Sequence, residues 1–330
     1  MYWMITNREL TDTLEPTPFL GPLRYFISDG RGPIDQVSSW NLVDKKVFID
    51  LLKRETSRFP LILDPEDSDR QKHVGVFVHG FNNSWGDAAK RYQGITDTIY
   101  KDKGLCILFS WPSDGTALGY YPDRIDARRS SDGVAEVFSD LYDWMIVKQA
   151  DAIANAKKAC RAKISVIAHS MGNFVLQKAL KTLWSRKNQP LLASLINQLI
   201  MVAADVDADL FKSGENIDKS DGDAIANLTY RITALYTGRD TTLGVSAGLK
   251  HFGERRLGRS GLSRTSPIPS NVWDIDVTDL INPKLKRVHS ACFDEPKTIE
   301  VMRHLLDGTD RGLIEREIAT MKAASAVVGQ

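Results

Sequence analysis

A serine with small residues two places to either side stands near the middle of this chain, in Ala168-His169-Ser170-Met171-Gly172. A serine hydroxyl is a weak nucleophile near neutral pH, so chemistry at Ser170 needs a neighbouring base that titrates close to the working pH, and histidine is that residue. The chain holds six histidines. His73 and His79 precede the serine, His169 adjoins it with a side-chain direction unsuited to reaching it, His251 lies in a polar segment, and His304 falls inside a helical pattern. His289 alone lies after the last predicted strand and before the final packing helix, and it is the expected base. An imidazole in that role needs a carboxylate to fix its tautomer and stabilise the imidazolium. Asp240 and Asp205 each follow a predicted strand end. The chain order serine, acid, histidine, with the acid after the later strand, favours Asp240, with Asp205 as the alternative acid. Asp205 also reads as a cap for the turn from Val206 to Phe211.

The elements around Ser170 explain these residue types. Lys163 to Ala168 is a short apolar run with three β-branched residues, a buried strand. Phe174, Val175, Leu176, Leu180, Leu183 and Trp184 then recur at helical spacing. Ser170 therefore sits where a strand turns sharply into a helix, the nucleophile-elbow arrangement, and anything beyond a methyl at 168 or 172 would collide there. The helix start points its amides at the reacting centre, so the Met171 N–H is one expected oxyanion donor. Val74 to Val78 is another buried strand, running into His79-Gly80-Phe81-Asn82-Asn83-Ser84. The N–H of Phe81 is the expected second donor, and an ordinary strand-to-helix loop with a structural His79 is the alternative. Leu105 to Ser110 is the next strand, and Trp111, Tyr120 and Tyr121 fall in the loop beyond it. There they either line the substrate pocket or form the loop's own core.

Further strands are expected at Tyr2–Thr6, Arg24–Ser28, Gln198–Ala204, Tyr230–Tyr236 and Asn271–Val277, with a Pro- and Gly-punctuated connection from Glu15 to Pro22. Helical patterns cover 44–59, 131–147 and the stretch opened by Pro296. Strands alternating with helices imply right-handed crossovers and a mostly parallel sheet with helices on both faces. At 330 residues the expectation is one domain over 1–330, with insertions over the sheet edge at 111–132, 207–228 and 241–269. The last carries Arg255, Arg256, Arg259 and Arg264 and reads as a solvated rim or lid.

A net charge of +1 offers no field to attract nucleic acid or an anionic membrane. No apolar run approaches the length of a membrane span, and the start shows no basic stretch followed by an apolar one. Cys106, Cys160 and Cys292 lie far apart without metal-type spacing, which fits a reducing compartment, so the expected location is cytoplasmic. Oligomeric state is not readable.

The ordered series His79-Gly80-Phe81-Asn82-Asn83, Phe109-Ser110-Trp111-Pro112-Ser113, Ala168-His169-Ser170-Met171-Gly172-Asn173, Ala203-Ala204-Asp205-Val206-Asp207, Arg256-Leu257-Gly258 and His289-Ser290 resembles a little-characterised bacterial α/β-hydrolase family of the esterase/lipase superfamily, over roughly residues 1 to 308. The resemblance implies the α/β-hydrolase fold and a serine hydrolase with Ser170 as nucleophile, His289 as base and one of the two aspartates as acid. Many members resembling it carry a secretion or lipoprotein signal that this chain lacks, so their envelope location is not carried over. The expected activity is cleavage of a small-molecule carboxylic ester through an acyl-enzyme, without metal or organic cofactor. Amide, thioester or phospholipid acyl chemistry shares the same constellation, and a non-catalytic scaffold that binds a small ligand or a partner protein is the rival class.

Overall fold

Mostly apolar runs of five to nine residues form the parallel strands of one sheet, and the helical patterns between them cover its two faces. The computed structural model describes residues 1–113, 120–186, 194–212, 221–250, 253–265, 267–286 and 288–328. In chain order the elements are β1 (Tyr2–Leu10), β2 (Pro16–Ser28), β3 (Asn41–Val43), α1 (Lys45–Thr56), β4 (Lys72–Val78), α2 (Trp85–Thr98), β5 (Gly104–Ser110) and α3 (Tyr120–Ala154). Then come β6 (Ala162–His169), α4 (Gly172–Arg186), β7 (Ile196–Val202), α5 (Asp221–Leu228), β8 (Thr229–Tyr236), α6 (Thr241–Val245), α7 (Leu257–Ser260), β9 (Val272–Asp276), α8 (Pro296–Asp307) and α9 (Arg311–Val328).

The sheet order is β3-β2-β1-β5-β4-β6-β7-β8-β9. Every pairing from β1 through β9 is parallel, and only β2 runs against its two neighbours. Period-two alternation divides the strand residues between two cores. Val74, Val76, Ile107, Phe109, Val166 and Ala168 pack with α1, α3 and α4 on one face. Phe77, Cys106, Leu108, Ile167 and Ile200 pack with α2, α8 and α9 on the other. Parallel strands all end at the same edge, so the loops after β4, β6, β7, β8 and β9 converge there. Among the described residues no helix is long and apolar enough to cross a membrane.

Three elements differ from the sequence reading. The stretch expected to connect the first two strands is itself strand from Pro16, paired antiparallel with β1. Its prolines fit because β3 pairs only with Tyr25 to Ile27, which leaves that half of β2 on an edge where a missing N–H costs no ladder bond. The helix expected from Ser131 begins at Tyr120. Its first turns bury Tyr120, Asp123, Ala127, Ser130 and Ser131, a helical stripe too polar to register as apolar periodicity. Finally, the inserts at 207–228 and 241–269 contain α5, α6 and α7, and Arg256 within the second is fully buried instead of solvating a loop.

Tyr92 of α2 ties two strands together under the sheet. Its hydroxyl donates to the Cys106 carbonyl at 2.7 Å and accepts the Trp3 N–H at 2.9 Å, all buried. Tyr92→Phe leaves that N–H unpaired, and the expected loss is about 1–3 kcal/mol in a urea titration. An unchanged midpoint would contradict the assignment.

Candidate active site

The elbow is strained and pinned. Ser170 has φ 52°, a left-handed conformation that costs a non-glycine residue of order 1–3 kcal/mol. Its N–H donates to the Val202 carbonyl at 3.0 Å, and its own carbonyl receives the N–H groups of Asp205 and Asn173, both at 3.1 Å. The Asn173 amide also donates to the Ala168 carbonyl at 2.9 Å, so one side chain bridges both sides of the turn. The close approach is tighter than expected from sequence. At Gly172 even a methyl would collide with the carbonyl oxygens of Val78 and His79, and a Cβ on Gly80 would stand 2.8 Å from that of Ser170.

His289 Nε2 lies 2.8 Å from Ser170 Oγ, and its Nδ1 lies 2.7 Å from Asp240 Oδ2. Ser170 and Asp240 are buried, and the imidazole is the partly open member of the chain. The second carboxylate oxygen of Asp240 accepts the Leu243 N–H at 3.0 Å, capping α6 and leaving Oδ2 aimed at the ring. Arg239, beside it, donates to the carbonyls of Ile281, Asn282, Pro283 and Leu285, fastening the turn of Asp240 to the loop that leads to His289.

Asp205 is turned elsewhere. It accepts from the Tyr120 hydroxyl at 2.8 Å, from Ser246 at 3.0 Å and from Arg256 Nε at 2.9 Å. Arg256 also reaches the Asp205 carbonyl and the Asp207 carboxylate. Burial works against the charge of Asp205, but Arg256 and the hydroxyl donors outweigh it and hold the carboxyl below its ordinary range. The same burial, with Asp205 alongside, pushes the Tyr120 phenol up to about 12 and keeps it a donor.

The loop after β4 is built on His79. Its Nδ1–H donates to the Gly80 carbonyl at 2.8 Å, and its Nε2 accepts the Trp111 N–H at 3.1 Å. Trp111 stacks on the ring and donates its indole N–H to the His79 carbonyl. Burial, and then the charge of Arg8, pull the His79 pKa down to about 3. Asn82 takes φ 59°, and Asn83 donates to the carbonyls of Gly80 and Phe81. Arg8, from β1, reaches Ser110, Ser113 and Asn83, while Asp123 accepts from Ser113. The Met171 N–H stands at the start of α4 beside Ser170, and Phe81 follows the glycine that touches it.

Of the residues expected to line a pocket, Trp111 is fully buried behind His79, and Tyr120 is buried in the first turn of α3 with Phe81 edge-on at 5.6 Å. The side chain of Tyr121 lies outside the described residues. The sequence reading did not single out Arg8, Asp123 or Arg239. An arginine in a buried stretch of strand is the one available signal, and it applies to Arg8 alone.

A family model described as alpha/beta hydrolase of unknown function (DUF900) matches residues 63–285, more than half of the chain. The chain belongs to this family. The match runs from just before β4 to just short of His289, taking in the elbow and both aspartates of this α/β hydrolase. The uncharacterised protein alr1448 of Nostoc sp. is 25% identical over 143 residues, 36% of this chain and 34% of its own, so the match spans about a third of that relative. Among solved structures, Aspergillus fumigatus lipase B is 14% identical with a TM-score of 0.40, covering 73% of this chain and 54% of that one. The Bordetella parapertussis poly(3-hydroxybutyrate) depolymerase LpqC is 16% identical with a TM-score of 0.35, covering 74% and 85%. Likenesses this distant carry nothing about the activity of the hydrolase.

Three buried histidines give the molecule a pH signature. His73 and His79 are pulled down to about 3, and His169 well below its ordinary value, chiefly by burial. Each takes a proton near pH 6.5 only when unfolded, so the unfolded chain binds more protons below that pH. Their stabilisation is present in full above about 6.5 and is lost as pH falls towards the folded values. The melting temperature is therefore expected to drop steadily from pH 7 to 4.5, with uptake of about three protons on unfolding near pH 5. A melting temperature flat across that window would contradict the neutral assignments.

Proposed function

We propose that the protein is a serine hydrolase that cleaves carboxylic esters through an acyl-enzyme intermediate. The observation that carries this reading is the continuous chain Ser170 Oγ, His289, Asp240, with both links under 3 Å. Ser170 attacks the acyl carbon while His289 Nε2 takes its proton, and Asp240 stabilises the imidazolium through Nδ1–H. The tetrahedral oxyanion rests on the N–H groups of Phe81 and Met171, and the Met171 N–H meets no acceptor within the described residues. His289 then returns the proton to the leaving alkoxide. A water molecule, deprotonated by the same ring, attacks the acyl-enzyme, and collapse of the second tetrahedral species releases the acid and restores Ser170. Each step needs only protein groups and water.

Asp205 is left out of this scheme because Arg256, Tyr120 and Ser246 already occupy its carboxylate. Its place is to hold the rim of the site, where α3, the segment after α6 and the turn before α7 meet.

A panel of p-nitrophenyl esters from acetate to palmitate, beside a phospholipid and an amide, tests the reading. Turnover of at least one ester is expected, with Ser170→Ala lowering kcat by about 10³-fold or more. Asp240→Asn is expected to cost about 10²–10⁴-fold in kcat, and Asp205→Asn much less in kcat while lowering the melting temperature. Ester turnover that survives Ser170→Ala, or the reverse ranking of the two aspartates, would overturn the assignment.

A further inference from the structure

The residue before the nucleophile has no part in the scheme above, yet its ring touches the base. His169 ends β6 on the face that carries Ile167, pointing towards α2 and the loop after β9. Its Nε2 lies 3.1 Å from the backbone carbonyl of His289, the two rings are 4.9 Å apart between centroids, and Phe293 meets it edge-on at 5.4 Å.

We propose that His169 is a positioning residue for His289, donating its Nε2–H to the His289 carbonyl and bracing the ring of the base, an inference that rests on the reading of His289 as general base.

The chemistry of the contact decides the direction of the bond. A carbonyl only accepts, so Nε2 carries the hydrogen. Burial, reinforced by the nearby His289 and Arg91, keeps the ring neutral, with a pKa well below the ordinary histidine value. A neutral imidazole has one N–H, so Nδ1 is bare, and it lies 3.0 Å from where a Cβ on Gly80 would stand. The ring is thus wedged between the glycine of the loop after β4 and the backbone of the base. Of the charged groups lining the cavity beside His169, Arg91 is paired with Asp294 at 2.7 Å and lies over the Phe293 ring, Lys90 is paired with Asp35 at 2.8 Å, and Asp87 caps α2 with Ser84.

His289 needs such a brace. Both its ring nitrogens are committed, to Asp240 and Ser170, so a shift of its backbone misaligns both bonds at once. The residue lies between the end of β9 at Asp276 and the start of α8 at Pro296, outside any strand or α-helix. Arg239 holds carbonyls only as far as Leu285, and the bond from His169 falls on His289 itself. A misplacement of about 1 Å at a reacting group costs on the order of a hundredfold in rate.

Two variants separate donor from filler. His169→Phe keeps a ring and removes the donor; His169→Gln restores an N–H at similar reach. Two readouts are compared in proteins of matched melting temperature: kcat and KM for p-nitrophenyl acetate, and the low-field proton resonance of the His289 Nδ1–H bonded to Asp240. His169→Phe is expected to lower kcat about 10–100-fold with KM within about twofold, and to lose or broaden the low-field signal, while His169→Gln recovers most of both. Unchanged kcat and signal in His169→Phe would overturn the inference, as would a His169→Gln protein that behaves like His169→Phe. The proton signal needs no turnover. A wild-type protein that shows it but hydrolyses nothing counts against the ester reading, and the signal in the two variants still decides the role of His169.

Discussion

The molecule depends on a backbone crossing in which the turn after β6 and the loop after β4 approach without room for a side chain between them. Gly172 faces the carbonyls of Val78 and His79, and Gly80 faces Ser170. At this contact the serine takes its left-handed conformation, and Phe81 and Met171 are the residues that follow Gly80 and Ser170 along the two crossing segments. The strain is held by hydrogen bonds from outside the elbow, through Val202, Asp205 and the amide of Asn173. Ala203, next along the neighbouring strand end, is itself at φ 45° and packed under Gly258, so the support is shaped to the same degree as the turn.

Around the crossing stand two buried polar frameworks. Arg8, Ser110, Ser113, Asn83 and Asp123 secure the loop after β4, and Asp205, Arg256, Tyr120 and Ser246 secure the rim on the far side of Ser170. Buried charges of this kind add little net stability over apolar packing, but removing one partner strands the other at a cost of several kcal/mol. Their value here is geometric. Each fixes a loop or segment that stands beside Ser170 to partners on other elements.

What was legible in the sequence follows from how each feature is encoded. Buried parallel strands are short apolar runs, so β4 to β9 could be found, and a small-x-Ser-x-Gly turn between a strand and a helix identifies Ser170. Position along the chain points to His289, which follows the last strand and precedes α8, and its ring lies beside Ser170. The two aspartates were harder to separate because both follow strand ends; the difference lies in Arg256, more than fifteen residues beyond either, which neutralises one of them. The start of α3 was hidden because its buried stripe is polar, and the inward turn of Arg256 because a basic residue in a Gly-rich segment reads as solvated. In each miss a tertiary partner distant in sequence overrode a local pattern.

The central claim is that one serine, activated across this crossing by an imidazole from the end of the sheet, is the reacting group. It is tested most directly by treating the native protein with a fluorophosphonate and locating the adduct by peptide mass spectrometry. The account predicts a single phosphonyl group on Ser170, formed rapidly in the native protein and absent after His289→Ala. A folded protein left unmodified, or modified at another residue, would contradict it.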